Sequence, residues 1–161
     1  MFVPDVFDDD RGFFKETWSD PKYAAAGLDM RFEQDSCSWS TRNVLRGLHY
    51  DFRMAKLVQC LKGRIWDAIV DLRRDSPTYL QWQGFLLTES NHKQLFVPAG
   101  FGHGFLALDD AIVHYKNSVA YDPAREGAVS WRNPRIGIAW PLAGEPRISA
   151  KDAAVAEDLL P

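Results

Sequence analysis

The sequence predicts a single all-β domain, a β-sandwich or barrel with short helices near its N-terminus and at its C-terminus. Side chains alternate along residues 64–72, so that Trp66 and Val70 fall on one face of a strand and Asp67 on the other. Glycines and prolines interrupt short apolar runs at roughly regular intervals, a pattern typical of all-β folds. Because 161 residues suffice for one sizeable core, we expect one domain over residues 1–161.

Each predicted element has a boundary signal in the sequence. The first helix follows Asp20 and Pro21, which can cap and start it, and stops at Gly27. The second helix follows a capping pattern formed by Ser149 and Asp152. The predicted strands cover residues 13–18, 32–39, 44–50, 56–61, 64–72, 79–87, 93–97, 104–108 and 112–121, the predicted helices cover 22–26 and 153–160, and a turn is predicted at 8–12.

Composition argues against several classes of partner. The net charge of −3 provides no basic field to recruit nucleic acid or an anionic membrane surface. The first residues lack the basic start and apolar run of a signal peptide, and no run approaches the ~18 apolar residues of a membrane span. The two cysteines, Cys37 and Cys60, have no metal-ligand spacing, so reduced thiols in a cytoplasmic protein are expected.

The stretch 43–50 is the strongest candidate for chemistry. Arg46 precedes His49 by three residues, and Leu45 and Leu48 flank them. A histidine in apolar surroundings beside an arginine could act as a base next to a bound anion. From spacing alone, a histidine packed in the core explains the pattern equally well.

A second histidine, His103, has glycines at three nearby positions, 100, 102 and 104. This pattern suggests a tight backbone turn that aims the imidazole ring, although the histidine could equally brace the loop. No two histidines are close enough for a His-x-His metal pair, so we expect no metal. The sequence also lacks the glycine-rich loops that bind nucleotides in other folds.

A series of motifs along the chain carries a family resemblance. They lie at residues 10–16 (DRGFFKE), 43–49 (NVLRGLH), 70–73 (VDLR), 76–78 (SPT), 97–105 (VPAGFGHGF), 114–116 (HYK), 121–123 (YDP), 138–141 (IAWP) and 149–152 (SAKD). Through them the chain resembles the dTDP-4-dehydrorhamnose 3,5-epimerase family of nucleotide-sugar epimerases nearly end to end. The resemblance implies a cupin-like jelly roll, a homodimer, a nucleotide-sugar substrate, and no metal or organic cofactor.

The resemblance also implies a reaction and four catalytic residues. The substrate would be a nucleoside-diphosphate 4-keto-6-deoxy sugar, in which the protons beside the ketone are acidic. By resemblance His49 is the base, Asp152 orients it, Tyr115 is the proton donor, and Lys56 lies near the ketone oxygen. Asp67 is expected to pair with His49 or Lys56, or else to bond to backbone as an ordinary strand residue.

Substrate-binding residues follow from the same resemblance. Arg46 suits a diphosphate because its guanidinium is always charged and binds in a bidentate manner, and Lys151 would add charge there. Tyr121 would stack on the base, and Arg11 and Glu16 would reach the substrate of a second protomer. The remaining expected substrate contacts are Gln34, Ser36, His103 and Glu126.

The chain also departs from the family pattern. The loop 49–56 is several residues shorter than is typical, Asp51 replaces a usual glutamine, Ser36 replaces a frequent asparagine, and Ala120 replaces a second aromatic residue. A divergent branch acting on GDP- or CDP-linked sugars therefore stays open, as does inversion at C3 or C5 alone. A 3,4-ketoisomerase and a non-catalytic sugar-binding cupin are two further candidates, although binding alone requires neither a base nor an acid.

Overall fold

The computed structural model describes residues 1–161 and has the predicted all-β architecture. It contains eleven strands and two short helices. The strands are β1 (Val6–Asp9), β2 (Gly12–Lys15), β3 (Gln34–Ser40), β4 (Leu45–Tyr50), β5 (Lys56–Lys62), β6 (Arg64–Asp71), β7 (Trp82–Thr88), β8 (Gln94–Val97), β9 (Phe101–Ala107), β10 (Ala111–Asn117) and β11 (Gly127–Ala128), and the helices are α1 (Asp20–Ala25) and α2 (Ala150–Ala153). Neither helix has the length or the apolar composition needed to span a membrane.

Two antiparallel sheets form a cupin-like jelly roll. The four-stranded sheet has the order β3-β10-β5-β8, and the five-stranded sheet has the order β11-β4-β9-β6-β7. The main core lies between them, where Val58 and Val113 of the first sheet meet Ile65 and Phe105 of the second. Each inner face therefore supplies the apolar half of an alternating strand, as expected for stacked sheets.

The outer faces of both sheets are also covered. The segment after β11 packs Val129 and Ile136 against Leu48 and Val70 of the five-stranded sheet. This second layer explains why β6 is buried on both faces. The N-terminal segment covers part of the other sheet by packing Tyr23 near Leu57, while the β1–β2 hairpin forms a small sheet of its own.

The structure differs from the predicted elements mainly at their ends. Strand β1 falls partly in the predicted turn, and the two-residue β11 was not predicted because so short a strand carries no alternation signal. Strand β10 ends at Asn117 instead of residue 121. The predicted helix at 153–160 is wrong, since α2 is one turn directly after its cap at Ser149. Extending α2 would have placed Glu157 and Asp158 at its C-terminal end, where acidic side chains are unfavourable.

A close approach between β4 and β9 sets the geometry of strand β4. Gly47 and Leu48 together face one residue of β9, Gly104, because the register shifts between Arg46 and His49. A Cβ atom on Gly47 would lie 2.6 Å from the Gly104 Cα atom, and one on Gly104 would lie 2.7 Å from the Arg46 carbonyl oxygen. Only glycine fits at either position, as is common at a β-bulge.

Replacing Gly47 by alanine should therefore destabilise the fold by about 3 kcal/mol, because the new methyl group meets backbone and the φ of +122° disfavours a side chain. Thermal unfolding followed by circular dichroism would measure the loss. Gly144→Ala is the matched control, since its φ is also positive, at +95°, but no atom lies within 4 Å of the position that the methyl group would take. It should cost only about 1–2 kcal/mol, and equal losses in the two variants would contradict the steric argument.

Candidate active site

A pocket of about 610 Å³ opens between the two sheets. It collects side chains from β3, β5 and β10 on one side and from β4 and β9 on the other, with the segment before α2 at its rim. Ten of the residues expected at the site line it: Gln34, Ser36, Arg46, His49, Lys56, His103, Tyr115, Tyr121, Glu126 and Asp152.

The bulge in β4 explains why Arg46 and His49 share this pocket. Residues three apart on a regular strand point to opposite faces of the sheet. The extra residue at Gly47–Leu48 resets the alternation, so both side chains line the same cavity. The three-residue spacing of Arg46 and His49 was ambiguous in the sequence. The bulge at Gly47, which packs against Gly104 of β9, explains how both residues reach one pocket.

His49 is held by a carboxylate from the far end of the chain. Its Nε2 atom lies 2.6 Å from the Asp152 Oδ1 atom. Because a carboxylate only accepts, Nε2 carries a proton, and in the neutral ring Nδ1 keeps its lone pair. Asp152 is placed by the α2 cap, where its backbone amide donates to the Ser149 Oγ atom at 3.0 Å. A histidine oriented in this way has the arrangement of a general base.

Two opposing effects set the charge of Asp152. Burial favours the neutral form and would raise its pKa, whereas the hydrogen bond and charge of His49 lower it. The second effect prevails, and the pKa lies below its ordinary value. Asp152 is therefore ionised at neutral pH and can stabilise an imidazolium on His49.

Asp67 pairs with the second histidine of the pocket. Its Oδ2 atom accepts a hydrogen bond from the His103 Nε2 atom at 3.0 Å. The partner that we expected from the sequence was His49, Lys56 or the backbone. His103 lies directly opposite His49 in the β4–β9 ladder. Both side chains of the pair are buried, and the Asp67 Oδ1 atom has no hydrogen-bond partner. Each of the two histidines that line the pocket is thus paired with an aspartate, and no three potential ligands cluster as in a metal site.

Tyr115 and Lys56 reach the pocket from the four-stranded sheet. Burial raises the pKa of Tyr115, so its phenol stays protonated at neutral pH. Burial lowers the pKa of Lys56, and the nearby charges of Glu126 and Asp67 partly oppose this effect. In one pocket, an enclosed ammonium group can stabilise a developing oxyanion and a protonated phenol can supply a proton.

Arg46 is braced at the pocket edge. Its Nε atom donates to the Ser40 Oγ atom at 2.9 Å, and its Nη2 atom donates to the Trp39 carbonyl oxygen at 3.0 Å. The guanidinium nevertheless remains exposed on its other side. An exposed but fixed guanidinium suits a phosphate group.

Polar contacts connect the residues at the opposite rim. The Tyr121 backbone amide donates to the Gln34 Oε1 atom at 2.9 Å, and the Gln34 Nε2 atom donates to the Ser36 Oγ atom at 2.9 Å. Glu126 accepts from the Tyr121 hydroxyl at 3.3 Å and forms an ion pair with Lys151. Lys151 therefore belongs to this rim although its side chain does not line the cavity.

Arg11 and Glu16 lie outside the pocket of their own chain. Arg11 is at the tip of the β1–β2 hairpin, where it pairs with Asp9, and Glu16 pairs with Lys22. All four side chains are exposed, and surface ion pairs of this kind contribute little stability. The single chain does not bring these two residues to the site.

Two serines of β3 were missed by the reasoning from sequence. Ser38 bonds to the Tyr115 hydroxyl, and Ser40 braces Arg46. Alternation along β3 was the available signal, since residues 34, 36, 38 and 40 are all polar and share one face. The pocket is also lined by Asn117, which alternation along β10 places on the same face as Tyr115, and by Arg147 and Ser149, for which the sequence offered no comparable pattern.

Known proteins are similar to this chain in both sequence and fold. The family model of dTDP-4-dehydrorhamnose 3,5-epimerase matches residues 1–158. The epimerase of this name from Methanothermobacter thermautotrophicus is 46% identical over 145 residues, which is 88% of this chain and 78% of the relative. The one from Pseudomonas aeruginosa is 45% identical over 156 residues, covering 94% and 86%.

Solved structures agree with these relatives. A dTDP-6-deoxy-D-glucose-3,5-epimerase from Legionella pneumophila, in complex with dTDP-4-keto-L-rhamnose, superposes with a TM-score of 0.91 at 40% identity and covers 94% of this chain and 83% of its own. A Bacillus anthracis dTDP-4-dehydrorhamnose 3,5-epimerase with TDP and PPi bound has a TM-score of 0.92 at 40% identity, covering 96% and 90%. A 3′-monoepimerase from Streptomyces bikiniensis, in complex with dTDP-quinovose, has a TM-score of 0.88 at 35% identity, covering 94% and 79%.

The matched family model spans nearly the whole chain, and the similarity extends from the sequence to the fold. The chain therefore belongs to the dTDP-4-dehydrorhamnose 3,5-epimerase family, a family of isomerases.

Proposed function

We propose that the protein inverts C3 and C5 of a dTDP-linked 4-keto-6-deoxy sugar, dTDP-4-dehydro-6-deoxyglucose, to give the dehydrorhamnose configuration. The observation that carries the proposal is the meeting of an oriented base, His49, and a protonated phenol, Tyr115, in one pocket but from different sheets. Inversion of a carbon requires a base and an acid on opposite faces of the sugar ring. A sugar lying between the sheets would present one face to each.

The proposed reaction proceeds through an enolate. The His49 Nδ1 atom removes the proton beside the ketone, and Asp152 stabilises the resulting imidazolium. The Lys56 ammonium group stabilises the charge that develops on the ketone oxygen. Tyr115 then protonates the carbon from the other face. His103, held by Asp67, contacts the sugar near the ketone.

The nucleotide and diphosphate occupy the two rims of the pocket. Arg46 holds the diphosphate, because its guanidinium is fixed by Ser40 yet open to the cavity. Tyr121 stacks on the base, supported by Gln34 and Glu126. Ser36 and Lys151 are the remaining expected substrate contacts from the same chain.

Inversion at one carbon only is the second candidate. The observation in its favour is the likeness to a 3′-monoepimerase, at 35% identity and a TM-score of 0.88. The same base and acid serve either outcome, since the sugar must reorient before a second carbon can react. The loop 49–56 is shorter than is typical of the family, so the nucleotide of the substrate can also differ. GDP- and CDP-linked sugars are therefore further candidate substrates.

Incubation in deuterated water with dTDP-, GDP- and CDP-linked 4-keto-6-deoxy sugars tests the proposal. Nuclear magnetic resonance should show deuterium at C3 and C5 of the dTDP-linked sugar, with inverted configuration. His49→Asn should lower exchange at both carbons by about 100-fold or more, because it removes the base. Tyr115→Phe should impair inversion more than exchange. No exchange with any of the sugars would contradict the epimerase proposal, and movement of the ketone would indicate a 3,4-ketoisomerase.

The pKa of Lys56 predicts the alkaline limb of the activity profile. Lys56 is charged below its lowered pKa, so activity should be present there and decline as the pH rises through a value below 10.5. The pKa of Tyr115 is raised above 10.0, so its ionisation does not cause this decline. Lys56→Arg keeps a charge to higher pH and should move the decline upward, at a lower kcat. The exposed Lys93→Arg is the control, and an unmoved limb in Lys56→Arg would contradict the assignment.

We also propose a homodimer that completes each site through the β1–β2 hairpin. A lone two-stranded hairpin is marginally stable in water. This hairpin leaves Phe7, Phe13 and Phe14 more than half exposed, at 59%, 55% and 66%. If a second copy covered these rings, Arg11 and Glu16 of the first copy would reach the pocket of the second.

We propose that the protein is located in the cytoplasm. The two free thiols, Cys37 and Cys60, are in keeping with a reducing compartment.

Mixing two inactive variants tests the shared site. In a heterodimer of Arg11→Ala and His49→Asn, one pocket would hold His49 from one protomer and Arg11 from the other. Co-refolding equal amounts should therefore restore about a quarter of the sites, measured as turnover against each variant alone. In the control, Arg42→Ala takes the place of Arg11→Ala. Arg42 is an exposed arginine outside the pocket, so this variant should be active without mixing. No gain on mixing would contradict action across the dimer.

A further inference from the structure

The Tyr115 hydroxyl has one hydrogen-bond partner in the protein, the Ser38 Oγ atom at 3.0 Å. This contact follows from the register of β3 and β10, in which Tyr115 pairs with Ser36 and Ser38 pairs with Val113. Ser38 is therefore a diagonal neighbour of Tyr115 on the same face, within reach of its ring. Both side chains line the pocket.

In the proposed reaction Tyr115 loses a proton that it must regain from another group. When the phenol gives its proton to the enolate carbon, an O–H bond breaks, a C–H bond forms, and a phenolate is left. Burial disfavours that anion, so it must be reprotonated before the next turnover. A hydroxyl group can do this because it donates one hydrogen bond and accepts others at the same time.

Ser38 is placed to connect the phenol with solvent. Its side chain is half-buried and lines the open pocket, whereas the Tyr115 ring is packed against the main core. No other side-chain hydroxyl contacts the phenol. Ser38 is therefore the side-chain hydroxyl through which pocket water can pass a proton to the phenol.

We propose that Ser38 is a positioning residue for Tyr115 and the relay through which the phenolate regains its proton from pocket water. The Ser38 proton moves to the phenolate oxygen while a water molecule gives its proton to Ser38. The hydroxide that remains is neutralised by the proton that His49 took from the sugar and releases. The cycle thus ends with every group in its starting state. This inference rests on the proposed epimerase function.

The relay predicts a specific change in Ser38→Ala. Removal of the substrate proton by the base is untouched, so His49 still exchanges that proton with solvent from its own face. Inversion should fall about tenfold, as for the loss of one hydrogen bond to a reacting group. In deuterated water the recovered substrate should therefore contain more deuterium in its original configuration, relative to inverted product, than with the wild type. Ser38→Thr restores a hydroxyl and should restore the ratio.

Ser40→Ala provides the contrasting variant on the same strand. Ser40 braces Arg46 and does not touch Tyr115, so its loss should raise KM and leave the ratio of exchange to inversion unchanged. Thermal unfolding of all three variants would show that the fold is kept. The two measurements together separate a role in proton delivery from a role in binding.

The outcomes distinguish this inference from the proposed function. A wild-type protein that exchanges no deuterium overturns the epimerase function and the relay together. Wild-type exchange with an unchanged ratio in Ser38→Ala overturns the relay alone. Equal loss of exchange and inversion in Ser38→Ala also overturns it, because that result would assign Ser38 to substrate binding or to folding.

Discussion

The contact between the backbones of β4 and β9 is the constraint on which the candidate site depends. Gly47 and Gly104 approach so closely that neither strand tolerates a side chain there. The bulge that results turns Arg46 and His49 into the same cavity and sets His49 opposite His103. The proposed diphosphate contact, the proposed base and a second imidazole are thus positioned by one backbone irregularity in an otherwise regular sheet.

The segment after β11 links stability to chemistry. It covers the outer face of the five-stranded sheet through Val129 and Ile136, and it then delivers Asp152 to His49. The position of the carboxylate therefore depends on the packing of this apolar layer, to which its chain segment belongs. Conditions that loosen the layer should therefore affect the base before they affect the main core, because the two lie on different faces of the sheet.

Much of this arrangement was predictable from the sequence, for identifiable reasons. Alternation predicted strand β6, and the Asp20–Pro21 pair predicted α1. The helix nevertheless starts two residues earlier than predicted, with Ser19 and not Asp20 at the N-cap position. The family resemblance supplied Asp152 as the partner of His49, a pairing across 103 residues that spacing alone does not indicate. The hydrogen bond between Asp67 and His103 was not foreseen, because it depends on the register of β6 against β9. The extent of α2 was misjudged, because the capping pattern at Ser149 and Asp152 marks where a helix starts and carries no information on where it ends.

The two sheets each carry half of the proposed proton chemistry, and this division has a consequence for how stereochemistry is encoded. His49 and Tyr115 are attached to different layers, and the distance between those layers is set by Val58, Val113 and Phe105 in the core. Protein interiors are packed tightly enough that one methyl group alters such spacings. The stereochemical course then follows from which sheet carries the base and which carries the acid, whereas the filling of the sandwich sets how well both groups reach the sugar at once. Substitutions in the core, far from the sugar, should therefore slow inversion without touching a residue that moves protons.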